Sequence, residues 1–262
     1  MYDLSALETL LAGSIYAGRL HYAPVTGSTN TDALAAARSG APHGSVYFAD
    51  EQTAGRGRGG HAWASAPAQG VYVSVLLRPS LPASLLPLVP LVAGLAAAEA
   101  IRLASGLAVD LRWPNDLLVS ERKAGGILAE TQTESSAGIS VLSYAVIGIG
   151  INVHQGSFDP GLATPATSLD LETGRYISRQ ELLVALLESL ERETQALLDP
   201  ASAKAIPARV EQASTWVRGR RVEVHGPQAC SGVTEGLDGS GFLLVRTGEG
   251  LVRVQTGGIR AA

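Results

Sequence analysis

Two strand-like apolar runs, Val46-Tyr-Phe-Ala49 and Val71-Tyr-Val-Ser-Val-Leu-Leu77, flank Glu51-Gln-Thr-Ala-Gly-Arg-Gly-Arg-Gly-Gly-His-Ala-Trp63. This restricts the fold: the stretch between them must hang as a loop between two strands of one sheet. Gly55, Gly57, Gly59 and Gly60 let its backbone lie close to a ligand, and Arg56 and Arg58 supply fixed positive charge there. That is the chemistry of an anion site. Taken alone, Gly/Arg alternation also describes a basic surface loop, and neither the Walker nor the Rossmann phosphate pattern fits it.

A net charge of −4 on 262 residues leaves no global basic field for nucleic acid, so any cation cluster acts locally. With 46% hydrophobic and 17% charged residues, the chain is a folded protein with a sizeable core. Cys230 is the only cysteine, which rules out an intrachain disulfide and a cysteine zinc site, and no apolar leader follows a basic start. A cytoplasmic protein is expected. The uncharged run from Arg78 to Glu99 has the length of a membrane span, about twenty residues. Pro82, Pro87 and Pro90 inside it point instead to a loop leading into a buried helix.

Residues 3–13 read as a short amphipathic helix ending at Gly13, with Leu4, Leu7, Leu10 and Leu11 on one face. Only 27 residues precede Ser28, too few for a helix-turn-helix, so no DNA binding is expected. Ser28, Thr29 and Asn30 stand before a helix over 32–38; as read from residue type alone they are N-cap chemistry. A buried helix follows over 91–104, closed by Gly106. Pro114-Asn115-Asp116 separates two short strands and has the composition of a hairpin tip. Lys123 stands before Gly125-Gly126, which open an apolar strand; a lone lysine is usually a solvated group, yet these glycines again permit close approach. Thr131 to Gly138 reads as a polar connection and Val141 to Val153 as a strand ending Gly148-Ile-Gly-Ile-Asn152. Arg179 to Leu198 is an amphipathic helix with Leu182, Leu183, Leu186, Leu187 and Leu190 on one side. From about Arg218 four short strands joined by Gly-rich turns make a small all-β module, of a size that suits an SH3-like barrel.

Taken together, six segments resemble those of the biotin protein ligases: Gly27-Ser28-Thr29-Asn30, Glu51 to Gly59, Trp63-Ala64-Ser65, Arg112-Trp113-Pro114-Asn115-Asp116, Lys123 to Leu128, and Gly148 to Val153. They follow the family's order and spacing over nearly the whole chain. The resemblance implies an α+β fold with a mixed sheet flanked by helices, related to class II aminoacyl-tRNA synthetases. It implies a catalytic domain over 1–217 and an SH3-like domain over 218–262, in the ligase-only form. The implied activity is ATP-dependent: biotin is activated as biotinyl-5′-AMP and passed to a lysine of a biotin carboxyl carrier protein of acetyl-CoA carboxylase or a related enzyme.

By the same resemblance, Arg56, Arg58 and Lys123 are the catalytic cations. Preorganised positive charge offsets the repulsion between two anionic reactants. Ser28, Thr29, Asn30, Gln52, Gly55, Arg56, Gly57, Arg58, Lys123, Gly126 and Gly148 are assigned to biotin. Arg58, Trp63, Asn115, Lys123, Asn152 and Arg260 are assigned to ATP. Mg²⁺ is expected with the nucleotide, with Asp116 as its candidate protein ligand. Many relatives carry arginine where this chain has His61, and the closing Gly257-Gly258-Ile259-Arg260 segment has tighter spacing. The Gly/Arg loop is expected to be poorly held without ligand, because Arg56 and Arg58 repel each other. The rival readings are a lipoate ligase or octanoyltransferase and a non-catalytic biotin sensor; monomer and homodimer both remain open.

Overall fold

The strand β7 (Ile139–Asn152) lies at the centre of a seven-stranded sheet, and its sequence explains the layers on either side. Successive side chains of a strand point to opposite faces. Ile147, Ile149 and Ile151 are all buried in the main core, on the same side as Val71, Val73 and Val75 of β3 (Gly70–Leu77). Helices α3 (Val89–Ser105) and α5 (Arg179–Leu198) cover that side. On the opposite face, Leu76, Tyr144 and Val146 form a small second cluster with Ala33 and Ala37 of α2 (Thr29–Arg38). We describe residues 1–136 and 138–262, from a computed structural model.

The order across the sheet is β1-β2-β3-β7-β6-β5-β4. It is mixed because β1 (Leu20–Thr26) runs parallel to β2 (Ser45–Gln52), with α2 as the crossover, whereas all other neighbours are antiparallel. β1 is an edge strand, which accommodates Pro24 without loss of a ladder donor. β4 (Asp110–Arg112), β5 (Asp116–Val119) and β6 (Arg122–Ser136) complete the far side. A second, antiparallel sheet is built from β8 (Arg218–His225), β9 (Cys230–Leu237), β10 (Leu243–Thr247), β11 (Gly250–Val254) and β12 (Gly258–Ala261). Its apolar residues join the main core: a side chain at Gly241 would strike Leu91 of α3 and Leu88 just before it.

Several expectations change. The polar connection expected from Thr131 to Gly138 is mostly strand, because β6 continues to Ser136 against β7; Thr131–Ser135 are exposed, so this ribbon is polar while its backbone remains paired. Ala137 within that stretch lies outside the described residues. Helix α1 spans Leu4–Leu10 and buries Leu7, with Leu11 just beyond it, while Leu4 and Leu10 face solvent. Helix α2 begins at Thr29, three residues earlier than expected. The second sheet has five strands, the fifth being β12. Helix α6 (Pro200–Gln212), started by Asp199 accepting from the Ser202 amide, was not foreseen, and neither was short α4 (Leu169–Thr173). The apolar run after Arg78 does form a 3₁₀ turn over Ala83–Leu88 leading into α3, which packs against α5.

The leucine stripe of α5 is fully enclosed. Leu186→Ala is expected to lower unfolding free energy by about 2–5 kcal/mol, the cost of lost transfer energy plus a cavity. Denaturant titration measures this; an unchanged midpoint would contradict the packing.

Candidate ligand-activation site

On the face of β7 opposite the isoleucines, Gly148, Gly150 and Asn152 alternate with them, beside Ser74 on β3 and Gly126, Leu128 and Glu130 on β6. The missing side chains make room for other parts of the protein. A Cβ at Gly148 would collide with the Asn30 amide, and one at Gly150 with the indole of Trp63. A Cβ at Gly126 would come within 3.4 Å of the same indole. Gly148 and Gly150 therefore receive Asn30 and Trp63 directly. The Trp63 Nε1–H is buried and has no hydrogen-bond partner among the described residues.

The Gly/Arg loop is closed on itself. Trp63 N donates to Gly55 O (2.9 Å), Gly57 N to His61 O (2.7 Å) and Gln52 N to Ser65 O (3.2 Å). Gly59 and Gly60 turn the chain with φ of 66° and 80°, the left-handed region. Gly55 is needed because a side chain would strike the Trp63 carbonyl.

Both arginines have protein partners in addition to the loop's own hydrogen bonds. Arg56 makes a fork with Glu130, Nη2 to Oε1 at 2.8 Å and Nη1 to Oε2 at 3.1 Å. Arg58 donates to the Gly257 carbonyl and to Thr256 Oγ1, both at the entry to β12. Burial lowers the Arg58 pKa and Asp116 opposes that shift.

Beneath the loop runs a chain of side-chain hydrogen bonds. Gln52 Nε2 donates to Ser65 Oγ (2.7 Å), and its Oε1 accepts from Thr29 N (2.9 Å) and Oγ1 (3.1 Å). The Thr29 and Ser74 hydroxyls lie 2.8 Å apart, and Ser74 Oγ donates to Asn30 Oδ1 (2.5 Å). Ser28 occupies the N-cap of α2 but its side chain makes no capping bond.

Asp116 is the acidic centre of the far side. It accepts Lys123 Nζ at 2.5 Å on one oxygen and Arg112 Nη2 at 2.6 Å on the other, and Arg112 also reaches Thr164. Desolvation pushes the Asp116 pKa up, but Lys123 and then Arg112 outweigh it, so the carboxyl is held below its ordinary value. Each Asp116 oxygen is thus already held by a cation, which a metal at this carboxylate would have to share. Among the described residues there is no cluster of three or more His, Cys, Asp or Glu suited to a cation. Lys123 is only 28% exposed and stands 5.6 Å from the Trp63 ring centroid, which corrects its picture as an exposed lysine.

The two asparagines are tied to backbone. Asn115 exchanges bonds with Ile127, its side-chain Nδ2 donating to Ile127 O at 3.0 Å and its backbone carbonyl accepting from Ile127 N at 2.9 Å. Asn152 donates to Thr167 O (3.0 Å), fixing the loop that crosses Lys123. The structure thus gathers Thr29, Asn30, Gln52, Gly55, Arg56, Trp63, Gly126 and Gly148 at one end and Asn115, Asp116, Lys123 and Asn152 at the other, with Trp63 touching both. Arg260 stands apart, exposed on β12 opposite Glu223; its segment meets the site through Gly257 instead. Glu130, Ser65 and Ser74 were missed. Glu130 was detectable, because a period of two from Gly126 puts it on the site face. Beside the cluster, a cleft of about 220 Å³ is bounded by Arg58, Asn115, Leu128, Phe242 and Gln255.

The chain is similar to known proteins over most of its length. Residues 22–152 match the Biotin/lipoate A/B protein ligase family. A biotin–[acetyl-CoA-carboxylase] ligase of Paracoccus denitrificans is 36% identical over 231 residues, 84% of this chain and 91% of that protein. The bifunctional ligase/repressor BirA of Bacillus spizizenii is 34% identical over 248 residues, 92% of this chain and 73% of that protein. The biotin protein ligase of Aquifex aeolicus, solved in complex with biotin and ATP, superposes with a TM-score of 0.78 at 28% identity, covering 94% of this chain and 100% of that one.

The Asp116 geometry has a pH consequence. A carboxyl whose folded pKa is depressed stabilises the fold above its unfolded pKa, and that contribution is lost as pH falls through the folded value. Asp116→Asn is expected to cost about 3 kcal/mol at pH 7, because it leaves buried Arg112 without its counter-ion. The deficit should shrink as pH drops below the ordinary aspartate range. Denaturant midpoints for both proteins from pH 7 to pH 3 test this; a pH-independent difference would show that the charge of Asp116 is not what matters.

Proposed function

The chain belongs to the biotin/lipoate A/B protein ligase family, and we propose that it is an ATP-dependent biotin protein ligase acting on a carrier protein. In the first step biotin's carboxylate oxygen attacks the α-phosphate of ATP, giving biotinyl-5′-AMP and pyrophosphate. In the second, a neutral lysine amine of a biotin carboxyl carrier domain attacks the acyl carbon, forming the amide and releasing AMP. Both reactants of the first step are anions, so the site must supply positive charge that is already in place.

The observation carrying this reading is the division of charge among the three cations. Arg56 is ion-paired with Glu130 and Lys123 with Asp116, whereas among the described residues Arg58 donates to neutral acceptors and feels Asp116 only at longer range. Arg58 is therefore the least compensated of the three cations, partly desolvated and offset only by the more distant Asp116 carboxylate, in a place where a cation acts strongly on an anion. Lys123, pinned by Asp116 beside Trp63, has two further N–H donors to aim at the developing charge. We assign Arg58 and Lys123 to the carboxylate and α-phosphate, and Thr29, Asn30, Gln52 and Arg56 to the biotin end. Trp63, packed across the glycine cradle, excludes water from the mixed anhydride. Mg²⁺ comes with the nucleotide's phosphate oxygens, since Asp116 is already engaged.

The family resemblance further supports reading residues 1–217 as a class II synthetase-like catalytic domain and the five-stranded sheet from residue 218 as SH3-like. The matched family also includes lipoate ligases, so lipoate is the competing substrate.

Pyrophosphate release from ATP should depend on biotin and not on lipoate. Lys123→Ala should lower that rate by about a thousandfold or more, the scale of removing a charge-stabilising donor. Because Asp116 then loses one of two cations, a stability loss of about 1 kcal/mol should accompany it. Lipoate-driven release, or a wild-type rate in the variant, would refute the assignment.

A further inference from the structure

A face built to receive two anions nevertheless carries a carboxylate. Glu130 lies on the site face of β6, two residues beyond Leu128, and accepts from Arg56 on both oxygens and from Asn30 Nδ2 at 2.9 Å. Left unbalanced, that charge would oppose both substrates, so its position calls for a role.

We propose that Glu130 is a positioning residue that sets the binding-competent geometry of Arg56 and Asn30, and through them of the Gly/Arg loop. This rests on the reading of the site as the biotin-activating centre. The fork uses the Nη1–Nη2 end of the guanidinium and leaves the Nε–H side for a ligand. With its charge balanced, Arg56 presents aimed N–H groups suited to an uncharged polar acceptor, while Arg58 retains its charge for the anions.

The connectivity gives Glu130 this leverage. Arg56 lies on the loop's incoming limb and Ser65 on its outgoing limb. Between them the hydrogen-bond chain runs Arg56–Glu130–Asn30–Ser74–Thr29–Gln52–Ser65, crossing the sheet and closing on the loop at both ends. Glu130 is the one charged acceptor in it. The Arg56–Glu130 pair is 43% and 27% exposed, so it contributes little to global stability. Its effect falls on the loop, where glycines leave few other contacts to fix Arg56.

The test compares wild type, Glu130→Gln, Glu130→Asp, Arg56→Gln and the Arg56→Gln/Glu130→Gln double variant, each first checked for an unchanged thermal midpoint. Glu130→Gln should raise the KM for biotin about tenfold while kcat for pyrophosphate release stays within about twofold, since geometry for binding is lost rather than a group acting in the transition state. Glu130→Asp, which keeps the charge, should recover part of the loss. The double variant should be no worse than Arg56→Gln alone, the non-additivity expected of partners. In the absence of ligand, trypsin should cut Glu130→Gln faster than wild type at Arg56. An unchanged KM, additive losses, or equal cleavage rates would overturn the proposal. A lower KM would also overturn it, because Glu130 would then be competing with substrate for Arg56. If wild type releases no pyrophosphate with biotin, the functional reading fails, while the cleavage comparison still decides whether Glu130 holds the loop.

Discussion

The two-residue period of β7 separates what this protein must bury from what it must keep open. Each isoleucine of Ile147, Ile149 and Ile151 fills the core under α3 and α5, and each intervening residue is too small to fill the other side. Large residues at 148 or 150 would expel Asn30 or Trp63 and separate the two ends of the site. A single strand thereby fixes the packing of the helices and the depth of the site, and a shift of one residue in register would exchange the two faces.

Charge is distributed on this surface by the same economy. Four cations (Arg56, Arg58, Arg112 and Lys123) meet two carboxylates (Glu130 and Asp116), and the pairing is selective. Asp116 is deeply enclosed and serves Arg112 and Lys123 together, so it fixes a lysine whose side chain would otherwise be free to rotate. Glu130 is more exposed and serves the loop. The remaining positive charge sits on Arg58, beside the cleft and against backbone oxygen, with no carboxylate in ion-pair contact among the described residues.

Much of this was legible because the relevant residues lie in short segments whose composition is unusual for their surroundings: glycines beside arginines, a Pro-Asn-Asp tip, a lysine before paired glycines. The leucine stripe of α5 and the apolar α3 could be read from spacing alone. What escaped had weak local character. The solvated ribbon of β6 has polar residues that resemble a loop, while its pairing partner is set by β7. The start of α6 depended on Asp199-Pro200, a short cap easily taken for a turn. At the site, the resemblance pointed to Asn115, Asn152 and Asp116, but not to what anchors them, namely Ile127, Thr167 and a pair of cations brought together by the tertiary structure. The role of Glu130 required knowing which strand faces the loop.

The contact of Arg58 with Gly257 joins residues 199 positions apart, and Trp113 Nε1 donates to Gly241 O across 128. These are among the most non-local contacts in the chain, and they tie the Gly/Arg loop and the Pro-Asn-Asp hairpin to the same late-synthesised sheet. During synthesis the central sheet can form while that sheet is still inside the ribosome, because domains form as their residues emerge. The nascent protein then has the glycine cradle but not the oxygen that orients Arg58. The glycine cradle belongs to the central sheet and the oxygens that hold Arg58 to the second, so this arrangement comes together only once both sheets have been made.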